Sequence, residues 1–222
     1  MSWTTSQNVT APKLLRVGFE QKPMLYTQKH LEDALHPKTE DNPHYHGLSI
    51  ETMKRLPELL EEPVLMADSP ARNDSIVVAL NAVDEDGLPI ICAIKPDGKG
   101  YYDIGNIETN MILAVYGKNE FERYFSDRIT EDRIFFFNKE RGHELERLAG
   151  IQFPEYYFSR DLSSIVREPV CVSMRKQEER TEPTKRVSSV EELAARGKQK
   201  AEEHNKNLKN TEVKSAKKGQ IR

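Results

Sequence analysis

Long apolar runs are missing from this chain of 222 residues. No stretch approaches the roughly 20 consecutive apolar residues that cross a bilayer as a helix, so the sequence predicts no membrane-spanning helix. Cysteine is scarce too. Two residues, Cys92 and Cys171, make neither a disulfide framework nor a zinc knuckle. Cys92 lies inside an apolar run and reads as a small core residue, while Cys171 in Val170-Cys171-Val172 carries no readable role. Glycine-rich phosphate loops, nucleophile elbows and His-Glu-x-x-His strings are all absent, which excludes the commonest nucleotide-hydrolase, esterase and zinc-protease signatures. The opening residues Met1-Ser2-Trp3-Thr4-Thr5 have neither the basic nor the apolar region of a signal peptide. The expectation is therefore a cytoplasmic protein.

Charge is what the chain has in abundance. Charged residues make up 31% and hydrophobic ones only 37%, the balance of a compact core diluted by a solvated segment. The net charge of −3 hides an asymmetry. From Arg175 onward there are 14 Lys and Arg against 8 Glu, which leaves 19 basic and 28 acidic residues in the body. An acidic body is poorly suited to gripping duplex nucleic acid over a broad face, because that affinity comes from clustered Lys and Arg.

Along the chain, residues 1–11 are polar and without period, a flexible N-terminus. Leu14 to Phe19 reads as a short strand or extended segment. Thr27 is a plausible N-cap for a brief helix through Leu35, ended by His36-Pro37. After a polar loop, Ser49 caps the main helix, whose Leu48, Met53, Leu56, Leu59 and Leu60 share one face. Pro57 should kink or split it. A β signature follows: Val64–Ala67, then Ser75–Val83 and Leu88–Ile94 joined through Asp84-Glu85-Asp86-Gly87 as a hairpin. Pro96 to Gly100 reads as a second turn. Met111–Tyr116 and the aromatic Arg133–Phe137 are further strands, the latter expected to be central. An amphipathic helix from Glu140 should bury Leu145 and Leu148 and end at Gly150. The expected fold class is α+β, with N-terminal helices followed by an antiparallel meander of about four strands. The expected division is a flexible segment 1–11, an α+β domain 12–172, and a charged, basic, largely disordered or loosely helical tail 173–222.

Several strings occur in a recognisable order: Lys29-His30-Leu31, His46-Gly47-Leu48-Ser49, Leu56-Pro57-Glu58-Leu59-Leu60 and Glu62-Pro63-Val64. Downstream stand Gly87-Leu88-Pro89-Ile90-Ile91, Val115-Tyr116-Gly117-Lys118 and Phe137-Asn138-Lys139. Over residues 12–158 the chain resembles the C-terminal domain of phage MuF-type minor head proteins, a domain also found in polyvalent proteins of phages and conjugative elements. That family is similar to the barnase–EndoU–colicin–RelE nuclease superfold, whose members mostly cleave RNA without metal. The resemblance thus implies a phage or mobile-element accessory protein with a toxin-like RNase domain, acting in the host cytoplasm on RNA. It implies no cofactor and no metal. The rival reading is a non-catalytic module that binds a phage-head or host protein.

Metal-independent RNA cleavage needs a base for the 2′-hydroxyl, an acid for the leaving oxygen, and cations around the phosphate. His46 is the acid/base candidate, because imidazole titrates near neutral pH; the plainer account is that it packs at its loop. His44 is two residues away and reads as an exposed loop histidine. His36, His44 and His46 lack a fourth ligand at metal spacing. Tyr116 and Lys118 complete the catalytic candidates, with Lys54, Arg72 and Lys139 as phosphate- or substrate-binding candidates. Asn73, beside Arg72, has suitable chemistry but no motif. In the resemblance a hydroxyl residue stands two or three places before this tyrosine. Leu113 and Ala114 occupy those places here, which implies a degenerate site.

Overall fold

The computed structural model of the protein describes residues 10–39, 41–42, 45–102 and 105–181. His44, residues 1–9 and the tail beyond residue 181 lie outside the described residues. The chain up to Gln177 forms one compact unit. Of the second unit, only the last turn of one helix is described.

Six strands make one mixed sheet. They are β1 (Met24–Tyr26), β2 (Leu65–Asp68), β3 (Ile76–Val83), β4 (Pro89–Tyr102), β5 (Gly105–Gly117) and β6 (Ile134–Phe137). Their order across the sheet is β1-β5-β4-β3-β2-β6. Strands β2 to β5 form an antiparallel meander. β1 adds a parallel edge beside β5, and β6 returns antiparallel to β2.

Apolar residues cover both faces of the sheet. Along β3, Ile76, Val78 and Leu80 enter one core cluster while Val77 and Ala79 enter the other. A strand buried on both sides reads as a continuous apolar run rather than an alternation, as Ile76–Leu80 does. The first face is closed by α1 (Pro12–Arg16), α2 (Gln28–Leu35), α4 (Leu56–Glu61) and α8 (Val170–Thr181), through Leu14, Ala34, Leu56, Leu60, Cys171 and Val172. The second face is closed by α5 (Phe121–Arg123), a π-helical turn (Tyr124–Arg128), α6 (Lys139–Ala149) and α7 (Glu155–Ser159), through Phe121, Phe125, Leu145 and Tyr157.

Local signals hold at several ends. The side chain of Thr27 accepts from the amide of His30, and that of Ser49 from the amide of Thr52. Gly150 closes α6 at φ 66°. The split expected at Pro57 is real: α3 (Ile50–Lys54) and α4 are separate helices, with Pro57 in the first turn of α4.

Four expectations are corrected. Residues 12–16 are helical rather than extended, with Pro12 in the first turn, where its missing donor costs nothing. Pro96–Gly100 is not a turn, since β4 runs through it with an irregularity between Lys95 and Gly98 and Asp97 at φ 56°. Lys22 and Arg175 hold the Asp97 carboxylate there. β6 lies at the edge of the sheet, not its centre. Its aromatic density reflects burial from both faces, and its free edge is occupied by the later chain: the Phe137 amide donates to the Leu162 carbonyl at 2.8 Å and the Val166 amide to the Phe135 carbonyl at 3.1 Å. Covering an edge this way removes a template for unwanted pairing. Lastly, Leu145 is fully buried but Leu148 is 54% exposed, because three residues turn a helix by less than one full turn and the apolar face of α6 is narrow.

Leu145→Ala should therefore cost about 3 kcal/mol of stability, and Leu148→Ala less than about 0.5 kcal/mol. Urea unfolding of the full chain checks the contrast, and equal losses would contradict this burial.

Candidate functional site

The loop between α2 and α3 brings His46 to the sheet. Its backbone zips onto the end of α2: the His46 amide donates to the Asp33 carbonyl at 2.9 Å, Gly47 to His36 at 2.7 Å and Leu48 to Ala34 at 2.8 Å. These bonds satisfy carbonyls that a helix end otherwise leaves open. Gly47 makes the run possible, since it sits at φ +63°, where a side chain is strained. So the His46-Gly47-Leu48 string is first a cap for the preceding helix. α3 contributes little dipole to an anion near His46, being five residues long with its Thr52 amide already donated to the Ser49 side chain.

From there the His46 imidazole stacks on Tyr116, ring centroids 4.9 Å apart and planes 26° from parallel. Tyr116 is the penultimate residue of β5 and packs against the second core cluster. The Lys118 amide donates to the Pro89 carbonyl at 2.8 Å, which keeps the chain in register one step past the strand. The Lys118 ammonium lies 4.6 Å from the ring centre of Tyr124 and 6.0 Å from that of Tyr116. Tyr124 opens the π-helical turn whose last residue is Arg128. His46, Tyr116 and Lys118 thus meet at one end of the sheet, with Tyr124 as a second aromatic wall and Arg128 close by.

The electrostatics of this cluster are unusual for the molecule. Burial lowers the Lys118 pKa, the charge of Arg128 lowers it further, and Glu120 only partly compensates. Burial raises the phenol of Tyr116 against the opposing effect of Arg128. Tyr124 is raised by burial and by Tyr116, again against Arg128. Both phenols therefore stay protonated at neutral pH. Among the described residues Lys118 and Arg128 have no carboxylate within ion-pair distance, although most other cations of the body are paired. Two neighbouring cations without an ion-paired carboxylate, Lys118 against two rings and Arg128 exposed, form a place where an added anion relieves repulsion.

The other candidates stand elsewhere. Lys54 pairs with Glu51 at 2.9 Å on the exposed side of α3. Arg72 grips Asp74 through two nitrogens, and Asp74, which also holds Lys95, is pulled down to about 2 by both. Arg72 lies in the β2–β3 loop, before the first residue of β3, whereas the register sets Tyr116 level with Ile91 of β4 and Ala79 of β3. Asn73 is exposed in the same loop. Lys139 starts α6 at the same end of the sheet as Lys118, but four strand spacings away, about 19 Å. His36 packs its ring against Tyr45, centroids 4.8 Å apart. Among the described residues no group of three or more His, Cys, Asp or Glu is arranged to hold a metal. Tyr124 and Arg128 escaped the sequence reading. Their placement depends on a π-helical turn, whereas the sequence from Glu120 to Phe125 reads as one or two ordinary helical turns.

Fold and cluster together define an α+β domain with a cluster of aromatic and cationic side chains where β5 ends. Residues 37–144 match the family model of the phage MuF C-terminal domain, so this stretch is similar to that domain. It contains every string of the resemblance except Lys29-His30-Leu31, and is shorter than the expected span 12–158. The curated proteins and the solved structures give no match. Among the described residues no helix is long and apolar enough to cross a membrane.

Lys118 should lose its proton below the ordinary lysine value of about 10.4. Arg128→Gln should move that titration upward, because one source of repulsion is gone. Side-chain NMR of Lys118 measures both, and an unmoved titration in Arg128→Gln would show that the guanidinium does not act on it.

Proposed function

We propose that this cluster binds an RNA phosphodiester and cleaves it by acid–base chemistry without a metal, as a toxin-like activity in the host cytoplasm. The observation that carries the reading is the convergence of His46 with Tyr116 and with the unpaired cations Lys118 and Arg128. In the step, neutral His46 takes the 2′-hydroxyl proton as that oxygen attacks phosphorus, and the bond from phosphorus to the 5′-oxygen breaks. Tyr116, held protonated, supplies the hydrogen-bonding proton for the leaving oxygen. Lys118 and Arg128 sit against the non-bridging oxygens, whose charge grows in the transition state. Tyr124 offers a face on which a base can stack. Lys54, Arg72 and Lys139 have no part in this reading.

A second reading is favoured by one observation. Ala114 lies two residues before Tyr116 on the same strand, a place where the resemblance puts a hydroxyl. Without it, the cluster serves as a non-catalytic binding site for an anionic segment of a phage-head or host protein.

The purified full chain in excess EDTA should cleave total RNA, and His46→Ala should lower the rate by about a hundredfold or more. Equal cleavage by wild type and His46→Ala, or none by either, would overturn the catalytic reading. Expression in a bacterial host, read by growth and total-RNA integrity, should separate the same two proteins.

A further inference from the structure

The acidic turn Asp84-Glu85-Asp86 needs no catalytic explanation, but the geometry of Asp84 exceeds what a turn requires. Its side chain is 1% exposed. Oδ1 accepts from the backbone amides of Asp86 at 3.0 Å and Leu88 at 2.8 Å, which is enough to set the hairpin. Oδ2 turns the other way and takes the Lys38 ammonium at 2.9 Å, from a loop 46 residues earlier. Asp86 also reaches Lys38.

Two contacts tie this ion pair to the cluster. On one side, Gly47 packs over Lys38: a Cβ on Gly47 would stand 3.4 Å from the Lys38 amide nitrogen, and His46 is the preceding residue. On the other side, Gly117 presses on Asp84 so closely that a Cβ there would collide with Oδ2. Gly117 lies between Tyr116 and Lys118. One buried carboxylate is thus linked through Gly117 to Tyr116 and Lys118, and through Lys38 and Gly47 to His46.

We infer that Asp84 and Lys38 act as a clasp that sets the distance between the His46 loop and the end of β5, making Asp84 a positioning residue for the site. The functional consequence rests on the reading in the preceding subsection; the geometric one does not. Asp84 and Lys38 touch no substrate in this account. They hold the imidazole against the Tyr116 ring, and so against the place where Lys118 receives an anion.

The test separates clasp from turn. Asp84→Asn keeps an acceptor for the Asp86 and Leu88 amides but offers Lys38 no charge. Lys38→Met removes the ammonium and leaves the turn untouched, and Lys38→Arg restores the charge. Ring-current shifts of the His46 protons and their NOEs to Tyr116 report the stack directly. Both should weaken in Asp84→Asn and in Lys38→Met and recover in Lys38→Arg, while amide signals in α6 and β3 stay in place. If Asp84→Asn fails to fold, Lys38→Met against Lys38→Arg decides. Where RNA cleavage is present, Lys38→Met should lower kcat tenfold or more and Lys38→Arg should regain most of it. A stack that persists unchanged in Lys38→Met overturns the clasp, whatever the activity. A stack that is lost in Lys38→Met, in a protein that never cleaves RNA, supports the clasp and overturns the RNase reading instead.

Discussion

Burial of the sheet on both faces is the constraint from which the rest follows. Because helices cover β2, β3 and β4 above and below, nearly every side chain on those strands must be apolar, and a polar group placed among them would need its own partner. Chemistry is thereby pushed to where strands stop. At the end of β5 the packing opens just enough for Tyr116 to be half-buried and for Lys118 to be drawn under two rings. Lys118 there is partly desolvated without an ion-paired carboxylate, and this separates it from the paired charges on the helices. It also reconciles an acidic body with an anion-seeking site: the half-buried Lys118 and its neighbour Arg128 act locally, and exposed carboxylates beyond a Debye length of about 8 Å are largely screened.

The parts of the fold that were legible in the sequence are those set by short-range physics. Thr27 and Ser49 announce helix starts because their oxygens reach an amide three residues on. Pro57 announces a break because it lacks a donor, and the meander announces itself through β-branched runs and an acidic turn. What misled was position rather than identity. The aromatic strand at residues 134–137 looks central because it is buried, yet its burial comes partly from residues 162–166, which carry no strand pattern. The Pro-Asp-Gly-Lys-Gly run looks like a turn because turns use those residues. Here Gly98 instead lets Met111 come close, and charged partners fix Asp97.

The site was legible in the same partial way. His46, Tyr116 and Lys118 could be named because they stand in strings with an imidazole, a strand end and a cation. Their meeting could not be read, since it depends on a loop pinned to α2 by backbone bonds. Residue type alone could not separate Lys118 from Lys54 or Arg72 either. The distinction lies in whether a carboxylate stands near by, and that is a property of the folded surface.

The edge of β6 has one more consequence. The segment that matches the phage family ends at residue 144, but the backbone bonds that close β6 come from Leu162 and Val166, and Cys171 and Val172 complete the first core. At the other end the match starts after β1 and α2, whose carbonyls anchor His46 to Leu48. The span that carries the similarity is therefore smaller than the span that folds. A gene fragment trimmed to residues 37–144 would keep the similarity and lose both margins of its sheet, leaving two raw edges free to recruit other chains.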